Sequence, residues 1–136
     1  MDAARKIAVA VREDLPTWQK LNVVAFLTSG LGTGDPSLIG APYEDADGET
    51  YLRMLAHPVI VLAGDEAALR RGLHRARDHG LATAVYIAPM FATGNDVDNR
   101  ATVRAVRSAD LSPVGIAVHG PRRDVDKALD RLRPHP

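Results

Sequence analysis

Lys20 occupies the first turn or two of an expected helix, where the helix macrodipole disfavours a cation. On a helical wheel it shares a side with Val23, Val24 and Leu27. That side is not a solvated face. Two chemistries fit such a lysine: a snorkelling side chain paired with Asp14 or Glu13, or a cation held at a pocket mouth to meet an anion or a developing negative charge. Arg12 and Asp14 stand just before it at a strand-to-helix turn. They either pair with one another across the turn or, with Lys20, orient a polar substrate, Asp14 then serving as a candidate general base. The segment Met90-Phe91-Ala92-Thr93-Gly94-Asn95-Asp96 sets two large apolar residues beside hydroxyl and amide groups directly after a strand. It reads as a specificity loop, with Asn95 or Asp96 free to cap the next helix. His119-Gly120-Pro121-Arg122-Arg123 offers backbone N–H groups and two arginines to a phosphate, but Pro121 removes one donor, and the weight falls against that reading.

Other patterns fail on context. Gly30-Leu31-Gly32-Thr33-Gly34 ends a helix instead of joining a strand to one, so it is no nucleotide loop. Asp45-Ala46-Asp47-Gly48 lacks the spacing and distal Glu of a calcium loop and suits a hairpin turn. His57, His74, His79 and His135 show no metal-ligand spacing, and no Gly-x-Ser-x-Gly elbow is present. Nothing in the sequence calls for a cofactor or metal.

The elements that must position these residues follow from periodicity. Lys6–Arg12 is apolar on both faces, the habit of a strand covered on both sides. Pro16 opens a helix to about Ser29, ended by Gly30, Gly32 and Gly34. Leu38–Tyr43 and Thr50–Leu55 flank the Asp/Gly turn as a β-hairpin. Val59–Ala63 is a second strand. Asp65 then caps a helix carrying Leu69, Leu73 and Ala76 on one face, with Gly80 at its carboxyl end. Ala82–Ala88 is a third strand, Asp96–Val106 a weaker helix and Val114–Val118 a fourth strand. Pro121 opens a last helix with Val125, Leu129 and Leu132 on one stripe, and Arg133–Pro136 is a short tail. The sum is one domain over residues 1–136, a three-layer α/β/α sandwich around four strands, with an inserted hairpin.

In such sheets ligands bind beyond the carboxyl ends of the strands. Arg12–Asp14, Gly64-Asp65, Pro89–Asp96 and His119–Arg123 meet there only if their strands are parallel. Composition bounds the rest. The 136 residues hold 17 basic and 17 acidic side chains, and that neutrality argues against a generic nucleic-acid or anionic-membrane binder. The absence of cysteine excludes disulfides, thiolate metal sites and cysteine nucleophiles. Apolar runs such as Val23–Leu27 are far too short to span a membrane, and Met1–Lys6 opens no secretion leader. A cytosolic protein is expected.

The opening Lys6–Leu15 (KIAVAVREDL) followed by Lys20 and a small-residue helix resembles the start of the type II peptidyl-tRNA hydrolases. More loosely, so does Val114–Pro121, followed by Asp126-Lys127 and Leu129–Leu132. Val11–Lys20 (VREDLPTWQK), Pro42–Gly48 (PYEDADG) and Met90–Gly94 (MFATG) with Asn99-Arg100 resemble, over essentially the whole chain, a bacterial family catalogued as domain of unknown function 2000. The hydrolase resemblance implies a mixed four-stranded sheet between helices, often dimeric, with an antiparallel fourth strand that removes His119–Arg123 from the site. It gives Lys20 a functional role, one residue closer to Asp14 than is usual in the hydrolases. It also implies an aspartate after the third strand, where this chain has Ala88-Pro89-Met90; Thr93 and Asp96 are the nearest replacements. The hairpin Leu38–Leu55 and the helix Asp96–Val106 are departures able to close over the site.

Three functions follow, in descending order. The first is a small-molecule enzyme or binding protein with a pocket of Lys20, Asp14, Arg12, Phe91, Thr93 and Gly94. The second is a non-enzymatic interaction module. The third is a peptidyl-tRNA hydrolase, whose tRNA substrate sits poorly with a neutral chain. A homodimer is an expectation of the resemblance.

Overall fold

The computed structural model describes residues 5–136, so most of the segment read as lacking a secretion leader, Met1–Lys6, lies outside the described residues. Strand β1 (Arg5–Arg12) runs through the middle of the sheet, and Ile7 to Val11 are fully buried, as its double-sided apolar sequence predicts. It pairs in parallel with β4 (Val59–Gly64), Ile7 opposite Val59 and Arg12 opposite Gly64. On its other side it pairs antiparallel with β6 (Pro113–Pro121), Val9 opposite Ala117. The edge strand β5 (Ala82–Ile87) is antiparallel to β6, and therefore runs in the same direction as β1 and β4. A two-residue strand β7 (Arg133–Pro134) completes the other edge. The sheet thus has five strands in the order β5-β6-β1-β4-β7, correcting the four-stranded expectation. The extra strand is the C-terminal tail, which pairs with the β4 edge through Leu62 and Ala63 and donates His135 N–H to Val61 O at 3.0 Å. An open β4 edge would leave backbone groups unpaired.

Helix α1 (Thr17–Gly34) covers one face and α2 (Glu66–Asp78) the other. Neighbouring residues of β6 show this directly, because strand side chains alternate between faces. A Cβ on Gly115 would overlap Val23 Cγ1 of α1, whereas Ile116 packs against Gly72 of α2. Helix α2 follows its sequence closely. Asp65 Oδ1 accepts the Ala68 N–H at 2.8 Å, Leu69, Leu73 and Ala76 are buried, and Gly80 takes the left-handed φ of 68° that ends the helix.

Helix α1 runs one and a half turns beyond the Ser29 limit read from sequence. Of the three glycines read as terminators, Gly34 is the last residue of the helix, with open space about it, whereas Gly32 is a packing residue. Leu31 is buried, and a Cβ on Gly32 would stand 2.9 Å from Ile39 Cδ1, so glycine there lets the hairpin approach. The last helix, α4 (Arg122–Ala128), is shorter than its apolar stripe. Leu129 and Leu132 lie beyond it yet remain buried. Strands β2 (Ile39–Glu44) and β3 (Thr50–Leu55) form a separate two-stranded sheet. Its turn is fixed by Gly48 at φ 85° and by Asp45 Oδ1, which accepts the Asp47 and Glu49 N–H groups. Helix α3 (Asp96–Arg104) is capped by Asn95, whose Oδ1 accepts the Asp98 N–H at 2.8 Å.

Candidate functional site

Strand directions decide which loops meet. Because β1, β4 and β5 share a direction, Arg12–Asp14, Gly64-Asp65 and the segment after Ile87 all leave one end of the sheet. Antiparallel β6 carries His119–Arg123 to the opposite end. There His119 is buried beside β1 and β5, its Nδ1 without a hydrogen-bond partner among the described residues.

At the shared end the guanidinium of Arg12 grips Asp14 in a two-point pair, Nε to Oδ1 at 3.0 Å and a terminal nitrogen to Oδ2 at 2.6 Å. This hydrogen bond holds the Asp14 carboxyl below the usual carboxylate range. So bound, Asp14 is a weaker proton acceptor than a free carboxylate, which works against a general-base role. Glu13 N–H bonds Gly64 O at 2.9 Å and ties the ends of β1 and β4 together.

Lys20 is half-buried, and it pairs with neither Asp14 nor Glu13. Its Nζ lies 3.2 Å from His135 Nε2, on the tail that β7 clips to the sheet. An ammonium can only donate, so Nε2 accepts, and the imidazole proton sits on Nδ1, 2.9 Å from Pro136 O. Sequence reasoning missed His135 in this setting. The two residues are 115 positions apart, and only the unexpected fifth strand brings them together. A cavity of about 330 Å³ at the strand ends is lined by Glu13, Gly64, Asp65, Arg131, Arg133 and the prolines flanking His135, but by neither Lys20 nor His135 itself. Both signs of charge face it.

Phe91, Thr93 and Gly94 gather elsewhere. Phe91 stacks at a tilt on Tyr86, ring centres 4.9 Å apart, and meets Trp18 edge-on at 6.1 Å. Tyr86 in turn meets Phe26 edge-on at 6.0 Å. The Thr93 hydroxyl lies against Met90 O at 2.9 Å and against Asn99 Oδ1. Gly94 borders a shallow recess of about 340 Å³ with Asn22, Tyr86 and Asn99. Lys20 does not line that recess. Residues two apart on a helix point to different sides, so Lys20 turns toward the tail while Trp18 meets Phe91 and Asn22 borders the Gly94 recess. The six residues named from sequence therefore form two groups, Arg12, Asp14 and Lys20 in one, Phe91, Thr93 and Gly94 in the other. Among the described residues no three His, Asp or Glu side chains are grouped to hold a metal, and no helix is long and apolar enough to cross a membrane.

No curated protein matches the chain. A solved structure of a protein of unknown function from Agrobacterium tumefaciens strain C58 is 38% identical, with a TM-score of 0.95 over 99% of this chain and 100% of that one. That likeness spans the sheet, the hairpin and the β7 tail together. The sequence profile of one family, described as a protein of unknown function (DUF2000), matches residues 5–136. With sheet, hairpin and tail inside a single match, the chain belongs to the DUF2000 family.

Proposed function

We propose that this chain, on a sheet of the type II peptidyl-tRNA hydrolase kind, binds a small polar ligand at the shared carboxyl ends of β1 and β4. One observation carries the reading. Lys20 is the only charged residue of α1, and its Nζ lies 3.2 Å from His135 Nε2, on the tail that runs along the β4 edge. A lone cation in the first turns of a helix opposes the macrodipole, and an ammonium with one of its three donors on His135 keeps two for an anionic oxygen. The strand-end cavity presents Arg131 and Arg133 opposite Glu13 and Asp65, a mixture suited to a ligand carrying both a carboxylate and an amine. Its size fits an amino acid or a short peptide fragment rather than a nucleic acid. Phe91, Thr93 and Gly94 form the flanking wall of the same sheet end and would meet only a ligand that extends across it.

The test is ligand-observed NMR of purified protein with a panel of small zwitterions and dicarboxylates, repeated on Lys20→Ala. Binding should weaken by roughly tenfold or more in the variant, about 1.4 kcal/mol, while its circular dichroism is unchanged. Equal binding by both proteins would remove Lys20 from the site. Peptidyl-tRNA is the second substrate to include, since the match of Lys20 to the hydrolase lysine favours it. Ester cleavage that is lost in Lys20→Ala would replace the small-ligand reading with the hydrolase one.

A further inference from the structure

The recess beside Gly94 carries hydrogen-bonding capacity that the chain itself leaves unused. Tyr86 lies on the face of β5 that α1 covers, where Ala84 also stands under Gly30. The residue is only 6% exposed, yet its hydroxyl has no hydrogen-bond partner among the described residues and is not sealed from solvent. A buried tyrosine ordinarily finds a partner for that group, because a polar group taken out of water unpaired costs free energy. Two amides border the same space, Asn22 exposed on α1 and Asn99 half-buried on α3. Asn99 gives its Oδ1 to the Thr93 hydroxyl. Its Nδ2, like the whole Asn22 amide, is unpaired among the described residues. Charge is nearly absent. Of the residues that line the recess only Asp96 is charged, and Arg100 Nε holds its carboxylate at 2.8 Å. An anion here would face that carboxylate with no free cation on the lining, and an ammonium would have to displace Arg100, so a charged ligand is disfavoured by either sign.

We propose that this recess is a second binding site, independent of Lys20, for an uncharged flat ring bearing a carboxamide. Shape supports the ring. Phe26 and Tyr86 both border the recess and stand edge to face at 88°, ring centres 6.0 Å apart. They make a corner of two flat walls, the arrangement in which a further ring packs against one and meets the other edge-on. Hydrogen bonding supports the carboxamide. The Tyr86 hydroxyl and Asn99 Nδ2 donate to its carbonyl oxygen, and Asn22 Oδ1 accepts from its N–H, so acceptor and donor are both answered. Burial raises the Tyr86 phenol above its ordinary 10.0, which keeps the proton on the hydroxyl at neutral pH and preserves it as a donor. Size agrees as well, since about 340 Å³ is at the small end for a ligand cavity and takes a single ring. The adjoining recess of about 510 Å³ shares Phe26, Asp96 and Asn99 and continues along α3 to Arg104, leaving a way out for substituents on that ring.

NMR titration of the isotope-labelled chain with benzamide and with nicotinamide tests this, benzoate serving as the isosteric anion. The side-chain NH2 signals of Asn22 and Asn99 should shift with both amides and stay in place with benzoate, a readout that needs no variant. Tyr86→Phe keeps the buried ring and removes only an unpaired hydroxyl, so the fold should survive, and affinity for both amides should fall about tenfold. The proposal is overturned if neither amide moves those two signals up to its solubility limit, or if benzoate moves them as far. Amide binding that is unchanged in Tyr86→Phe overturns it too, since the hydroxyl would then have no part in the site.

Discussion

Helices α1 and α2 flank the same sheet and solve the same inner problem, but their outer faces differ completely. Both present a buried apolar stripe to the strands, Val23, Leu27 and Leu31 in one, Leu69, Leu73 and Ala76 in the other. The outside of α2 is basic and engaged. Arg71 pairs with Asp130, Arg70 donates to Ala109 O, and Arg75 to Lys127 O. The outside of α1 carries no charge, and its side-chain hydroxyls turn back on their own helix, Thr28 to Val24 O and Thr33 to Ser29 O. One helix carries a charged outer face and the other an uncharged one, both exposed. The single charge of α1, Lys20, is kept off that face and lies against His135 of the tail.

The largest effects should come from the inner faces, where the comparison can be broken. A Cβ on Gly115 would overlap Val23 Cγ1 and reach 3.2 Å from Leu27 Cδ1, so Gly115→Ala forces α1 off the sheet. It should cost about 3 kcal/mol, the upper range for overpacking a close-packed core. Under α2, a Cβ on Gly72 would meet Leu129, Ile116 and Leu132 side chains at 3.1 to 3.4 Å. Those are flexible ends, and alanine in place of a mid-helix glycine contributes about 1 kcal/mol. Gly72→Ala should therefore fall within about 1 kcal/mol of wild type. Urea unfolding of the two variants measures both; equal losses would mean α1 is no more tightly seated than α2.

The parts of this fold that were legible in the sequence are those whose physics is local. The doubly apolar Ile7–Val11 announced a central strand, and Asp65 with Gly80 bracketed α2. The Asp/Gly run announced the hairpin turn. What escaped was set by distant contacts. β7 is two residues, one of them a proline, with no periodicity of its own, and it pairs with the β4 edge through Leu62 and Ala63. The carboxyl end of α1 was misjudged because glycine signals both a helix stop and a close approach, and only Ile39 packed on Gly32 distinguishes them. The candidate site was half legible for the same reason. Arg12 and Asp14, two residues apart, pair as their spacing suggests, whereas the Lys20–His135 contact depends on the tail.

A smaller and pH-bound effect sits under the far end of α1. Burial, with Arg5 nearby, pushes the His119 imidazole below its ordinary 6.5, while Asp35 pulls it back. The unfolded chain then binds a proton at a higher pH than the folded one. Stability is unaffected above about pH 6.5 and falls as pH drops below it. The depressed carboxyls of Asp14, Asp35, Asp45 and Asp130 lose their contribution only below 3.8, so the two windows separate. Thermal melts between pH 7 and 5 should show the decline in wild type and a flatter profile in His119→Gln; identical profiles would exclude His119 as the source.

The smallest expected change is on α2. Arg71 and Asp130 are both substantially exposed, at 3.2 Å, and such pairs contribute about 0–1 kcal/mol because water and salt screen them. Arg71→Ala should lower stability by no more than about 0.5 kcal/mol. That near-silence sharpens the contrast with α1. Removing a charge from a face already in water changes little, since solvent replaces the lost contact. A charge added on the outer side of α1 meets water too, because Ala25 is already exposed, so Ala25→Glu should leave the stability of the chain within about 0.5 kcal/mol of wild type. Were Arg71→Ala to cost as much in urea unfolding as Gly115→Ala, the outer face of α2 would matter as much as the inner face of α1, and the contrast between the two helices would fail.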